Sequence, residues 1–282
     1  MTPTPPDSVR SAHPTQDGAG VKIRRIHDFR GGLDPFLMLD ELKASAREDY
    51  IGGFPSHPHR GFETLTYLVH GGLTHEDSMG NQGRVEAGEA QWMSAGRGVI
   101  HSEMPLLDSD GLHGFQLWVN LPAQRKLDPP RYRDIRADAM RHLPEDDDSL
   151  RFKAIAGSWQ TSAGDTEGPL EQLGEGAAMA DLALPAGYRL SLAIALTDRV
   201  LAYVYEGELN GLEAGQMGVW HGQTQVHLIA QQDARVLLFK GRPLEEPIAH
   251  YGPFVMNTSE EIEQAISDYQ AGRLAAEPAS TT

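Results

Sequence analysis

Apolar and polar residues alternate at a spacing of two in short runs through most of this chain. Val21 to Ile26 sets apolar against charged positions, and Glu63 to Val69, Gln91 to Met93 and Phe115 to Asn120 are runs of Val, Leu, Thr and aromatic residues bounded by turn-forming residues. Successive side chains of a strand point to opposite faces, so such runs build half-buried sheet. Many short strands with Gly-rich turns predict sandwiches or barrels instead of βαβ units. A second strand-rich stretch follows over about residues 151–242. Helical spacing appears only near the end. Thr258 and Glu261 form a capping box, Ile262, Ala265, Ile266 and Tyr269 share one face, and Gly272 supplies a stop, which predicts a helix over about 259–271 docked on the chain's own barrel.

These patterns divide the chain into four parts. Residues 1–20 are Pro-rich and polar and read as a flexible arm; 21–145 form a first barrel, 146–245 a second, and 246–282 a closing segment with the helix. The acidic run from Glu145 to Ser149 reads as a solvated linker. The second barrel echoes the first: Tyr67-Leu-Val-His-Gly-Gly matches Tyr203-Val-Tyr-Glu-Gly-Glu at an offset of 136, and Val85-Glu-Ala-Gly-Glu-Ala-Gln matches Leu212-Glu-Ala-Gly-Gln-Met-Gly at 127. A duplicated barrel explains both echoes.

Charge and composition narrow the chemistry. The formal charge is −16 and the pI about 5.1, so the surface repels phosphate backbones and direct nucleic-acid binding is not expected. No run of about 18 uncharged apolar residues is present, and the first residues lack the apolar core of a secretion signal, which gives a soluble, cytoplasmic expectation. With no cysteine in the chain, any metal must be held by nitrogen and oxygen.

Two triplets carry such ligands: His57-Pro58-His59 and His101-Ser102-Glu103. Residues at i and i+2 of a strand share a face, so each triplet aims two ligands the same way. With 12 histidines in 282 residues, chance alone yields roughly 0.5 His-x-His pairs, so one triplet is weak and two in strand-like surroundings are not. Three imidazoles and one carboxylate suit a divalent iron, nickel, copper or zinc ion and leave two positions open if it is six-coordinate. Pro58 points to an edge strand. Under the repeat offsets the ligand positions fall on Ala193, Ala195, Leu228 and Ala230, none able to bind a metal, so the second barrel is expected to be metal-free and His221 and His227 to be rim histidines.

The strings Gly53-Phe-Pro-Ser-His-Pro-His-Arg-Gly-Phe-Glu63, His75-Glu-Asp, Gln91-Trp-Met-Ser-Ala-Gly-Arg-Gly-Val-Ile-His-Ser-Glu103-Met-Pro, Gln116-Leu-Trp-Val-Asn-Leu and Gly252-Pro-Phe-Val-Met-Asn-Thr258 resemble the pirin family of the cupin superfamily. The resemblance runs from about Leu33 to Leu274 and thins between about Asp146 and Val200. It implies an all-β fold of two tandem cupin-type antiparallel barrels, of which only the first binds metal, and a C-terminal helix. It also implies Fe(2+) held by His57, His59, His101 and Glu103, with Glu103 doubling as a base; another divalent metal could serve. Glu63 matches the carboxylate that other cupins use and is read as structural, and His70 as a rim residue. By this resemblance the activity is either cleavage of a flavonol such as quercetin by O2 to a depside and carbon monoxide, or metal- and redox-switched protein binding of the kind made by transcription cofactors. Gln116, Trp118, Met93 and His75 are candidate pocket residues; core packing is the preferred reading for Trp118 and Met93, and for His75 turn capping and a supporting base stay open.

Overall fold

The computed structural model describes residues 2–107, 110–143, 150–171 and 173–275, and the acidic run from Glu145 to Ser149 lies outside them. The chain forms two compact units, each assembled from separated segments. An N-terminal barrel unit comprises 14–32, 36–134 and 245–282, and a C-terminal barrel unit 1–13, 33–35 and 135–244.

The N-terminal barrel sets a seven-stranded sheet, in the order Arg131–Ile135, Ala90–Ser94, Phe62–His70, Leu112–Asn120, Phe36–Ala44, Val21–His27 and His13–Asp17, beside a four-stranded sheet of Phe54–His59, Val99–Pro105, Gly72–Asp77 and Gln82–Glu86. The C-terminal barrel repeats the plan. Its seven-stranded sheet runs Ser8–Ser11, Gln216–Trp220, Arg199–Glu206, Ala234–Gly241, Ala178–Leu184, Arg151–Ala156 and His142–Leu143, and its four-stranded sheet Gly164–Glu167, Ser158–Thr161, Arg189–Ala193 and Gln225–Ile229. The fold is thus all-β, with two barrels and, among the described residues, one α-helix, Ser259–Gln270.

The helix begins as its sequence demands. The Thr258 hydroxyl accepts from Glu261 N–H at 3.2 Å while the Glu261 carboxylate accepts from Thr258 N–H at 3.0 Å, which satisfies two otherwise orphaned donors. Ile262 and Ala265 bury against Phe254, Met256 and Leu274 of the same unit. Among the described residues no helix is long and apolar enough to cross a membrane.

The first residues depart from the flexible-arm expectation. Ser8–Ser11 pairs antiparallel with Gln216–Trp220, from Ser8 opposite Val219 to Ser11 opposite Gln216. Ahead of it the Thr4 carbonyl accepts from Trp220 Nε1 and Asn210 Nδ2, both at 3.0 Å, and Thr4 Oγ1 accepts from His227 N–H at 2.9 Å. The physical reason is that an edge strand needs little apolar surface; its backbone groups are enough to cap an open ladder, whatever the side chains.

The repeat register also needs one correction. In the N-terminal barrel His57 pairs with His101 and His59 with Val99, while in the C-terminal barrel the inward-facing pairs are Leu190 with Leu228 and Leu192 with Val226. The offset of 127 therefore holds for the second ligand strand, but Leu190 and Leu192, not Ala193 and Ala195, are the counterparts of His57 and His59. A longer connection causes the slip: Ala193 and Arg199 bound the loop in one barrel, His59 and Phe62 the shorter one in the other.

Candidate metal centre

Strand pairing brings the histidines together. His57 and His59 lie on the edge strand Phe54–His59, next to Val99–Pro105 carrying His101, and one ligand atom from each of the three lies within 4.8 Å of the others. Pro58 sits on that edge, where its missing N–H costs no ladder bond. The register shifts between His101 and Glu103, a bulge of the kind that re-aims side chains beside sites.

The environment fixes the state of each ring. His57 Nδ1 lies 2.8 Å from the Pro55 carbonyl, to which it donates, and this leaves the lone pair on Nε2. His57 Nε2 and His59 Nε2 are 3.1 Å apart. Burial, then the neighbouring His57, holds His59 well below the usual imidazole range, and burial followed by His59, His57 and His75 does the same to His101. Both are neutral at pH 7, the form that binds metal. Both ring nitrogens of His101 are buried without a protein partner. Orphaned imidazole nitrogens that converge with the rings of His57 and His59 fit a borderline divalent cation, because such an ion supplies the partner that protein atoms do not.

Glu103 is buried on the same strand but stands outside the three-histidine cluster. Its Oε1 accepts from Thr66 Oγ1 at 3.1 Å and its Oε2 from Gln116 Nε2 at 2.7 Å, which leaves each oxygen a further lone pair. Glu63 is fully buried and accepts from Trp92 Nε1 at 3.0 Å, a packing role. His70 is exposed beside the Asp110 carbonyl at 2.8 Å, and His221 is exposed beside Asp7. His227 lies 2.9 Å from Ser191 Oγ.

His75 sits in mid-strand, buried, with Nε2 3.3 Å from Asp77 and its ring stacked on Tyr132 at 4.6 Å. The turn is capped by Asp77, whose Oδ1 accepts from the N–H groups of Met79 and Asn81, so His75 is no turn cap. Met93 packs with Ala95 and Val99 in the core. Trp118, by contrast, does more than fill the core: it stacks on Phe62 at 4.1 Å, meets His59 edge-on at 5.3 Å, and lines a cavity.

That cavity, about 620 Å3, has His57 and His59 in its lining. Met38, Phe29, Phe54 and Trp118 give it apolar walls, and Gln116, Asp40, Arg25 and Asp17 form a polar side. Neither Arg25 nor Asp40 is marked by any local motif. Only the ladder pairings, Arg25 with Asp40 and Asp40 with Gln116, reveal that they share a row with the residue holding Glu103.

Comparison with known proteins follows the same division. The pirin family model matches residues 20–119 and the model of the pirin C-terminal cupin domain matches 179–275. A Vibrio cholerae protein named as a candidate quercetin 2,3-dioxygenase is 47% identical over 268 residues, covering 93% of this chain and 94% of that protein. The crystal structure of a quercetin 2,3-dioxygenase from Acinetobacter baumannii superposes with a TM-score of 0.86 at 31% identity, covering 97% of this chain and 99% of the other. A bacterial pirin from Escherichia coli in complex with nickel(II) gives 0.58 at 25% identity, over 84% of this chain and 99% of that one.

Proposed function

Because the chain belongs to the pirin family, we propose that it is an iron-dependent dioxygenase cleaving quercetin-type flavonols with O2. The observation that carries the reading is the convergence of His57, His59 and His101, two of which line a cavity with aromatic walls. Flavonol specificity draws its support from the relatives' names.

In this reading His57, His59 and His101 hold a divalent ion and Glu103 is the fourth ligand. Bound iron supplies Lewis acidity toward a flavonol's hydroxyl and carbonyl oxygens and one-electron chemistry toward O2. The protein does the rest. Thr66 and Gln116 orient the Glu103 carboxylate, which takes up the proton of the flavonol hydroxyl; the Pro55 carbonyl holds the His57 tautomer; Trp118 and Met38 exclude water from the reacting ring.

The test is direct. Protein purified without added metal is analysed for bound metals, loaded anaerobically with Fe(II), mixed with quercetin and exposed to O2. The expected result is loss of the flavonol absorbance with one O2 consumed and one carbon monoxide released per flavonol. Fully loaded protein that leaves the flavonol intact overturns the reading.

A further inference from the structure

The far side of the cavity has a chemistry that the metal centre does not explain. Gln116, Asp40 and Arg25 stand in register on three adjacent strands, so Arg25 lies two strand spacings, about 10 Å, from the residue that holds Glu103. Arg25 donates through Nε and Nη2 to both Asp40 oxygens, at 2.7 and 2.6 Å, and through Nη2 to Asp17 at 2.5 Å. One guanidinium thus faces two carboxylates, leaving a surplus negative charge and several unused acceptor lone pairs on the cavity wall. The flanking surfaces are flat: Phe29 and His250 stack in parallel, centroids 3.6 Å apart at 4°. Nearer the histidines Trp118 is nine-tenths buried, and its indole N–H has no protein partner. A buried donor left over beside an acceptor-rich wall points to a ligand that brings the missing acceptor and donors.

We infer that Asp17, Arg25 and Asp40 form a specificity subsite for the distal ring of a planar polyphenol. This rests on the flavonol reading of the metal centre and deepens it. The carboxylates accept hydrogen bonds from ring hydroxyls, Arg25 holds them in position, and their excess charge disfavours an aromatic acid in the same place. The Trp118 N–H serves an acceptor oxygen on the ring nearer the histidines.

Isothermal titration under argon with the metal-loaded full chain tests the subsite. Three probes share one chelating ring system: quercetin, 3,5,7-trihydroxyflavone, which lacks only the distal hydroxyls, and 3,5,7-trihydroxyflavone with a distal carboxylate. Wild-type protein is expected to bind quercetin roughly tenfold tighter than 3,5,7-trihydroxyflavone, and the carboxylate weakest. Asp17→Asn, on a half-exposed side chain, is expected to shrink the quercetin preference about threefold or more and to improve binding of the carboxylate. Asp40→Asn, checked by circular dichroism, is expected to do the same; if it does not fold, Asp17→Asn decides. Equal wild-type affinity for quercetin and 3,5,7-trihydroxyflavone, or a folded variant that keeps the wild-type ratio, overturns the subsite while the flavonol reading stands. Failure of the wild type to bind either flavonol overturns that reading and the subsite with it.

Discussion

Five residues stand in register across the seven-stranded sheet of each barrel: Arg25, Asp40, Gln116, Thr66 and Gln91 in one, Ala154, Ala180, Leu238, Ala202 and Gly218 in the other. The same ladder holds a continuous polar row in the first case and an apolar one in the second. Each member of the polar row has a partner: Arg25 binds Asp40, Thr66 and Gln116 bind Glu103, and Gln91 donates to Tyr132 at 2.7 Å and Asp134 at 3.0 Å. Across the C-terminal barrel, Leu190, Leu192, Val226 and Leu228 join that apolar row in one core. Each of these buried Leu and Val side chains contributes roughly 1.5–3 kcal/mol. The contrast teaches that this architecture does not require its interior to be dry. One barrel is packed for stability, and the other keeps a cavity whose polar walls must be individually paired.

Moving a residue from one interior into the other tests that division. Leu228→His places an imidazole at the counterpart of His101, among Leu190, Leu192 and Val226 and without polar partners. It is expected to cost about 3–5 kcal/mol in urea denaturation and to add no metal to the protein. A variant that keeps wild-type stability contradicts the claim that the C-terminal core is fully packed.

The second test uses pH. Burial holds His59 and His101 well below their unfolded value of 6.5, so below that value the unfolded chain takes up protons that the folded chain refuses. Stability of the metal-free protein is therefore expected to fall as pH drops below about 6.5 and to level off above it, with a slope of up to about 1.4 kcal/mol per pH unit for each histidine. Urea midpoints between pH 5 and 8 measure this, and a flat profile contradicts it.

The smallest expected effect comes from copying the apolar barrel into the polar one. His101→Leu removes an imidazole with two unpartnered nitrogens and substitutes the residue found at position 228. Metal content after purification is expected to drop to background, while the metal-free protein gains about 1 kcal/mol and loses about half its acid sensitivity. A variant that still retains metal shows that the other ligands suffice.

The convergence of His57, His59 and His101 was legible in the sequence because ligand pairs two apart on strands declare their shared face without any tertiary information. The helix was legible through its cap and spacing. The polar row was not, since Arg25, Asp40, Gln116, Thr66 and Gln91 come from five strands and meet only through pairings that no local pattern encodes. Trp118 illustrates a second limit: one ring can be core on its Phe62 side and cavity wall on the other, and composition reports only the first. Ser8–Ser11 shows a third, because a strand that contributes backbone and little apolar surface leaves no hydrophobic signature.

That strand has a consequence for how the molecule is made. Ser11 pairs with Gln216, so a partner for the earliest residues emerges from the ribosome about 205 residues later. The N-terminal barrel in turn waits for Phe254, Met256 and the helix. No single cut yields two self-sufficient halves; severing the chain near residue 135 deprives each fragment of a piece held by the other. Synthesis order and assembly order run against each other here, and the opening residues are among the last to find their seats.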